Sequence, residues 1–214
     1  AGLKTYSDSM TWYGDRATTI LLFDRDTLDL VHRNEAEPWF QWHFANGFED
    51  DAGRLVVDVA RYDDFTTNEF LRQVSQGTIT TEASARLDRV TIEPCSGRCL
   101  ESETRIDRRC EFPIVAPHTV GQPTDRIVVV TQRPEGQPFG DLFSAIGTYD
   151  VTRDQLTVLD CGDQTYPSEP IWVSGSSVNS SDHKSRHQNS RDHNHDEHCN
   201  WLIFPVFLAK AQRS

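Results

Sequence analysis

Three short stretches hold the residues best suited to chemistry. The first is Glu37-Pro-Trp-Phe-Gln-Trp-His-Phe-Ala-Asn-Gly-Phe-Glu-Asp50, where a single histidine, His43, sits among Trp39, Phe40, Trp42, Phe44 and Phe48. Imidazole is the commonest metal ligand, yet a histidine in aromatic surroundings reads first as a hydrogen-bonded core residue. The second stretch, Cys110-Glu-Phe-Pro113, sets Glu111 in an apolar context. A buried carboxylate there needs a partner, and an imidazole N–H would serve; a surface ion pair is the plainer alternative. The third, Tyr166-Pro-Ser-Glu-Pro-Ile-Trp-Val173, holds a second such carboxylate, Glu169, between two prolines. A further group, His183, His187, His193, His195 and His198, has ligand-rich spacing, but a flexible segment would give it neither fixed geometry nor orienting partners. No G-x-S-x-G occurs and no glycine loop follows a strand, so nucleophile and nucleotide chemistry find no support.

These residues need a scaffold, and its elements are mainly strands. Short β-branched or aromatic runs between turn residues mark strands at Thr18–Phe23, Leu55–Val59, Arg86–Ile92, Ile127–Gln132, Ala145–Tyr149 and Leu156–Leu159. Only Phe65–Val74, with Phe65, Phe70, Leu71 and Val74, has a helical pattern. A weak repeat recurs three times: an apolar strand, a polar turn and a second strand. The copies are Ile20–Asp24 with Leu28–Val31, Ala85–Pro94 with Arg98–Glu101, and Ile146–Asp150 with Gln155–Leu159. Hairpins at this spacing suit a β-sandwich or the blades of a propeller, with room for roughly three or four blades of about 40 to 50 residues.

Composition narrows the partners. The chain has 214 residues and a formal net charge of -12, from 21 Lys+Arg and 33 Asp+Glu, without the dense basic stretch that binding to a phosphate backbone requires. Nucleic acid is therefore not an expected partner. The longest apolar run, Trp201–Leu208, is far short of the ~20 residues of a membrane-spanning helix, which leaves peripheral membrane contact open. Five cysteines at irregular spacing fit free thiols and a cytoplasmic location. The tract Ser174–His198 holds five of the eight histidines, seven serines and one aliphatic residue, Val178, and is expected to be disordered. Residues 199–214 are apolar but show no period of strand or helix.

The first three stretches, in this order on a β-repeat background, resemble the carotenoid cleavage oxygenase family, which includes apocarotenoid and stilbene oxygenases and the retinal pigment epithelium isomerohydrolase. The family pattern His-x-x-N-x-[FY]-E-[DE] is matched by His43, Asn46, Phe48, Glu49 and Asp50, followed by the acidic strand Leu55-Val-Val-Asp-Val59. The E-F-P and Y-P-S-E-P-[IL]-[FWY]-V patterns are matched by Glu111–Pro113 and Tyr166–Val173. The resemblance implies an all-β fold, a fragment of a seven-bladed β-propeller with a disordered C-terminal tail. It also implies Fe(II) on the propeller axis, held by four histidines, three of which donate their second N–H to glutamates. By motif, His43 is one iron ligand, Glu111 and Glu169 are two of the supporting carboxylates, and Trp42 lines the substrate tunnel. The implied reaction is cleavage of a conjugated carbon–carbon double bond of an apolar polyene by dioxygen, giving two carbonyl products.

The pattern is incomplete in this chain. The resemblance covers residues 1–173, as a partial propeller; 174–214 depart from it, as a shifted reading frame, a truncated gene or an assembly error would produce. Of the four ligands only His43 can be placed, and His32 and His118 fall outside the ligand motifs. A one-histidine site holds iron poorly, so the chain alone is expected to be inactive. The rival readings are a noncatalytic β-repeat remnant and a metal-binding protein using the histidine tract.

Overall fold

The computed structural model describes residues 4–5, 7–136, 141–174, 200–203 and 206–208. The expected disorder of the histidine tract, and the five histidines in it, lie outside these residues.

Among the described residues, the fold is a stack of antiparallel sheets that do not close into a ring. Strands β1 (Thr18–Phe23) and β2 (Leu30–Ala36) form a hairpin. Strands β3 (Phe40–Glu49), β4 (Leu55–Tyr62), β5 (Ala85–Ile92) and β6 (Cys99–Ile106) follow as a four-stranded meander. A second meander of the same size contains β7 (Cys110–Ile114), β8 (Arg126–Thr131), β9 (Ala145–Asp150) and β10 (Gln155–Asp160). Strands β11 (Thr165–Pro167) and β12 (Ile171–Ser174) pair with β14 (Val206–Leu208) and β13 (Asn200–Ile203) respectively. The three sequence repeats are the hairpins β1–β2, β5–β6 and β9–β10. This is the architecture of a partial β-propeller: successive four-stranded sheets, each meandering outward from an inner strand.

Period-two burial explains why the central strands read as continuous apolar runs. Along β8, Ile127 and Val129 join Leu87, Ile106, Cys110 and Tyr149 in the core between the two meanders. Val128 and Val130 face the other way, onto Ile146, Trp172 and Leu202. Both faces are buried, so both need apolar side chains. On the far side of the first meander, Ile20 of the hairpin packs with Val59, Val90 and Ile92. The outer strand β6 is exposed along most of its length and presents Glu101 and Glu103, charges that discourage further edge pairing.

Six strands have no counterpart among the runs visible in the sequence: β3, β7, β11, β12, β13 and β14. Residues 199–214, to which no element was assigned, supply β13 and β14. Their pairing partners lie on distant β12 and β11, so no local period announces them. Strands β3 and β7 carry bulges that break the alternation by which a strand shows in sequence. Among the described residues the one α-helix, α1 (Thr66–Gln76), connects β4 to β5 and ends on Gly77, whose φ of 74° turns the Thr78 N–H back to the Gln73 carbonyl.

Gly147, in the middle of β9, tests how tightly the second meander is packed. A Cβ there would lie 3.0 Å from both Leu156 Cδ1 and Val129 Cγ2. Gly147→Val is expected to lower stability by about 1–3 kcal/mol, read as a reduced urea midpoint at unchanged slope.

Candidate functional site

The innermost strands of the two meanders, β3 and β7, pack against each other, and both are bulged where they meet. On β3, Gln41 pairs with Arg61 and Phe44 with Val59, so Trp42 and His43 together face Ala60. In a regular strand, neighbouring side chains point to opposite faces; a bulge re-aims one of them. Trp42 and His43 accordingly line the same cavity. On β7, Glu111 pairs with Val130 and Ile114 with Val128, leaving Phe112 and Pro113 against Val129. Phe112 has a φ of 51°, in the left-handed region, and Pro113 has no N–H to offer the ladder. Glu111 and Phe112 both reach the cavity that Trp42 and His43 line.

The two bulges bring His43 onto Glu111, 68 residues further along the chain, with Nδ1 and Oε2 2.7 Å apart. A carboxylate only accepts, so the proton lies on Nδ1 and the neutral ring keeps its lone pair on Nε2. Glu111 Oε2 also accepts the Phe112 N–H at 2.9 Å, and Oε1 accepts the Tyr62 hydroxyl at 2.7 Å. Glu111 is 5% exposed, so these three donors replace the water it has lost. The hydrogen bond to Glu111 raises the His43 pKa above its usual value, against the opposing effect of burial, and the charges of Glu111 and then Glu169 add to the rise. Burial, followed by the Glu111 charge, pushes the Tyr62 phenol up, so Tyr62 stays a donor.

Around this pair lies a cavity of about 440 Å³ with mainly apolar walls, which include Trp42, Phe70, Leu71, Phe112, Leu142 and Phe143. Trp42 is held edge-on to Phe40, centroids 4.8 Å apart, and donates its indole N–H to Thr67 Oγ1 at 3.0 Å. Thr67, in the first turn of α1, is buried, which ties the helix to the cavity wall. Glu169 lies in the link between β11 and β12 and is exposed. The structure therefore brings Trp42, His43 and Glu111 together, while Glu169 acts on His43 through charge, as the smallest of the effects that raise it.

Other motif residues have structural work. Asn46 is buried; its amide donates to the Gln122 and Thr119 carbonyls at 2.8 and 3.3 Å and accepts the Gly121 N–H at 3.0 Å. It clips the loop after β7 onto β3. Asp50 Oδ1 accepts the N–H groups of Ala52 and Arg54, building the β3–β4 turn. Tyr62 and Thr67 were not among the sequence candidates. Tyr62 ends an apolar strand and Thr67 opens a helix, positions where nothing local marks a site.

For a metal, the described residues fit one position of a coordination sphere. A histidine whose Nδ1–H is held by a carboxylate, with Nε2 left as donor on a cavity wall, has the arrangement of a ligating imidazole. Among the described residues, no group of three or more His, Cys, Asp or Glu side chains gathers as a complete site.

The pH dependence follows from His43. Its pKa is raised on folding, so its contribution to stability is full below the unfolded value of about 6.5 and fades as pH rises through the folded value. Glu111→Gln is expected to flatten this part of the stability profile above about pH 6, measured by urea unfolding across pH. A profile unchanged by the substitution would contradict the pairing.

Comparison with known proteins extends the same picture. The family described as RPE65, retinal pigment epithelial membrane protein, matches residues 1–214. The apocarotenoid-15,15'-oxygenase of Synechocystis is 27% identical over 122 residues, covering 57% of this chain and 24% of that protein. The carotenoid isomerooxygenase of Galleria mellonella is 26% identical over 176 residues, 78% of this chain and 33% of that protein. Among solved structures, cobalt-substituted Synechocystis ACO superposes with a TM-score of 0.61 at 26% identity, over 75% of this chain and 33% of that one. The chain thus spans a quarter to a third of the length of these relatives. With its stacked meanders and its whole length matched, the chain belongs to the RPE65 family, alongside the carotenoid and apocarotenoid oxygenases.

Proposed function

We propose that the chain forms part of an iron-dependent dioxygenase that cleaves a conjugated carbon–carbon double bond of a carotenoid or apocarotenoid. One dioxygen is consumed per double bond, each carbon taking one oxygen atom to give two carbonyl products. The observation carrying this reading is the His43–Glu111 pair at 2.7 Å on the wall of a largely apolar cavity. Oxygenation is the activity shared by the names of the two relatives.

Fe(II), when bound, supplies the activation of dioxygen. His43 would hold it through Nε2, and a full sphere would need further histidines from outside the described residues. Glu111 fixes the tautomer and heading of that ring, so that the Nε2 lone pair faces the metal. Glu169, exposed near the cavity, is the carboxylate for another such histidine. Trp42, Phe112 and Phe143 would grip a polyene by dispersion and shape, which suits a substrate with few groups to hydrogen-bond. The same apolar wall excludes water from the reacting bond.

A single imidazole retains iron weakly, so the 214-residue chain is expected to purify with far less than one equivalent of iron and to leave a polyene uncleaved. Stoichiometric iron with cleavage would overturn this. Residues 1–173 grafted in place of the matching segment of the Synechocystis oxygenase are expected to support iron loading that His43→Ala abolishes. Full iron content in the His43→Ala graft would contradict the ligand assignment.

A further inference from the structure

A buried carboxylate beside a metal ligand poses a problem that His43 alone does not solve. A free carboxylate oxygen is itself a hard ligand, and a Glu111 side chain able to rotate could offer either oxygen to the ring or to a metal. In this structure neither oxygen is free to do so. Oε2 is shared between the His43 ring and the Phe112 N–H, and Oε1 accepts the Tyr62 hydroxyl at 2.7 Å. Tyr62 is 6% exposed, lies at the end of β4, and packs with Ala60, Ala83, Ala85 and the Phe40 and Trp42 rings. Its backbone is fixed on both sides, pairing with Phe40 of β3 and Ala85 of β5. The hydroxyl is therefore delivered to Oε1 by a rigid strand, not by a loop.

We propose that Tyr62 is a positioning residue for His43, acting through Glu111. Its hydroxyl occupies Oε1, which turns Oε2 toward the imidazole, keeps the ring in its Nδ1–H form and bars the carboxylate from coordinating a metal itself. The inference rests on the reading of His43 as a ligand for its purpose, but not for its geometry. A phenylalanine at this place would fill the same space; what it would lack is the donor. Burial raises the phenol pKa, so Tyr62 stays protonated and able to donate near neutral pH.

The test uses the full 214-residue chain without metal, labelled with nitrogen-15. Long-range proton–nitrogen correlation reads the tautomer of His43 at a pH above its titration. The wild-type ring is expected in the Nδ1–H form. In Tyr62→Phe, the ratio of Nδ1–H to Nε2–H is expected to fall by about threefold to tenfold, the factor carried by one net hydrogen bond. A ratio unchanged in a folded Tyr62→Phe chain overturns the proposal and leaves Tyr62 a packing residue. Should that variant fail to fold, the wild-type spectrum decides: a downfield, slowly exchanging Tyr62 hydroxyl proton close to the His43 Nδ1–H supports the proposal, and its absence overturns it. Iron enters neither measurement, so a failed metal assignment and a failed role for Tyr62 give separate results.

Discussion

The rest of the site depends on one hydrogen bond between two sheets, from His43 on β3 to Glu111 on β7. Each partner answers a need of the other. Glu111 has lost nearly all its water and requires donors, and His43 needs an acceptor to choose between two tautomers. Neither strand could meet that need in regular geometry. On β3 the bulge turns Trp42 and His43 to one cavity, and on β7 the left-handed Phe112 does the same for Glu111 and its own ring. The bulges are thus the local cost of the site, offset by the packing of two four-stranded meanders on either side.

That packing is what makes the geometry rigid. Alternating burial along β8 locks the second meander between the first one and the β12–β13 pair. Within the first meander, Asp58 and Arg89 stand directly opposite on β4 and β5 and form a two-pronged ion pair at 2.8 and 2.9 Å, with Asp58 fully buried. Such a pair holds register better than it adds stability, since removing either partner would strand a buried charge. Register in turn sets where Tyr62 arrives at the end of β4 and where Ala60 faces the β3 bulge.

Periodic elements are legible in this sequence, and irregular ones are not. Six strands and the helix were visible because β-branched runs and a 3.6-residue pattern are local signals. The hairpins β1–β2, β5–β6 and β9–β10 were visible through their turns. Strands β3 and β7 escaped because a bulge destroys alternation, and these are the strands carrying His43 and Glu111. Motif resemblance, not periodicity, singled out those two residues. It could not show that Asn46 is a loop clip or that Glu111 has a second partner in Tyr62, because both depend on contacts across tens of residues. Strands β11 to β14 escaped for the same reason, because β11 pairs with β14 and β12 with β13 across a long stretch of chain.

A double-mutant cycle between β3 and β7 addresses the link itself. Urea unfolding of wild type, His43→Ala, Glu111→Ala and the double variant, at one pH near neutrality, isolates the coupling between the two side chains from their separate packing. If the imidazole and carboxylate meet as described, the coupling is on the order of 0.5–3 kcal/mol; effects that add to within about 0.3–0.5 kcal/mol would mean the two residues do not interact, and the site would have no foundation.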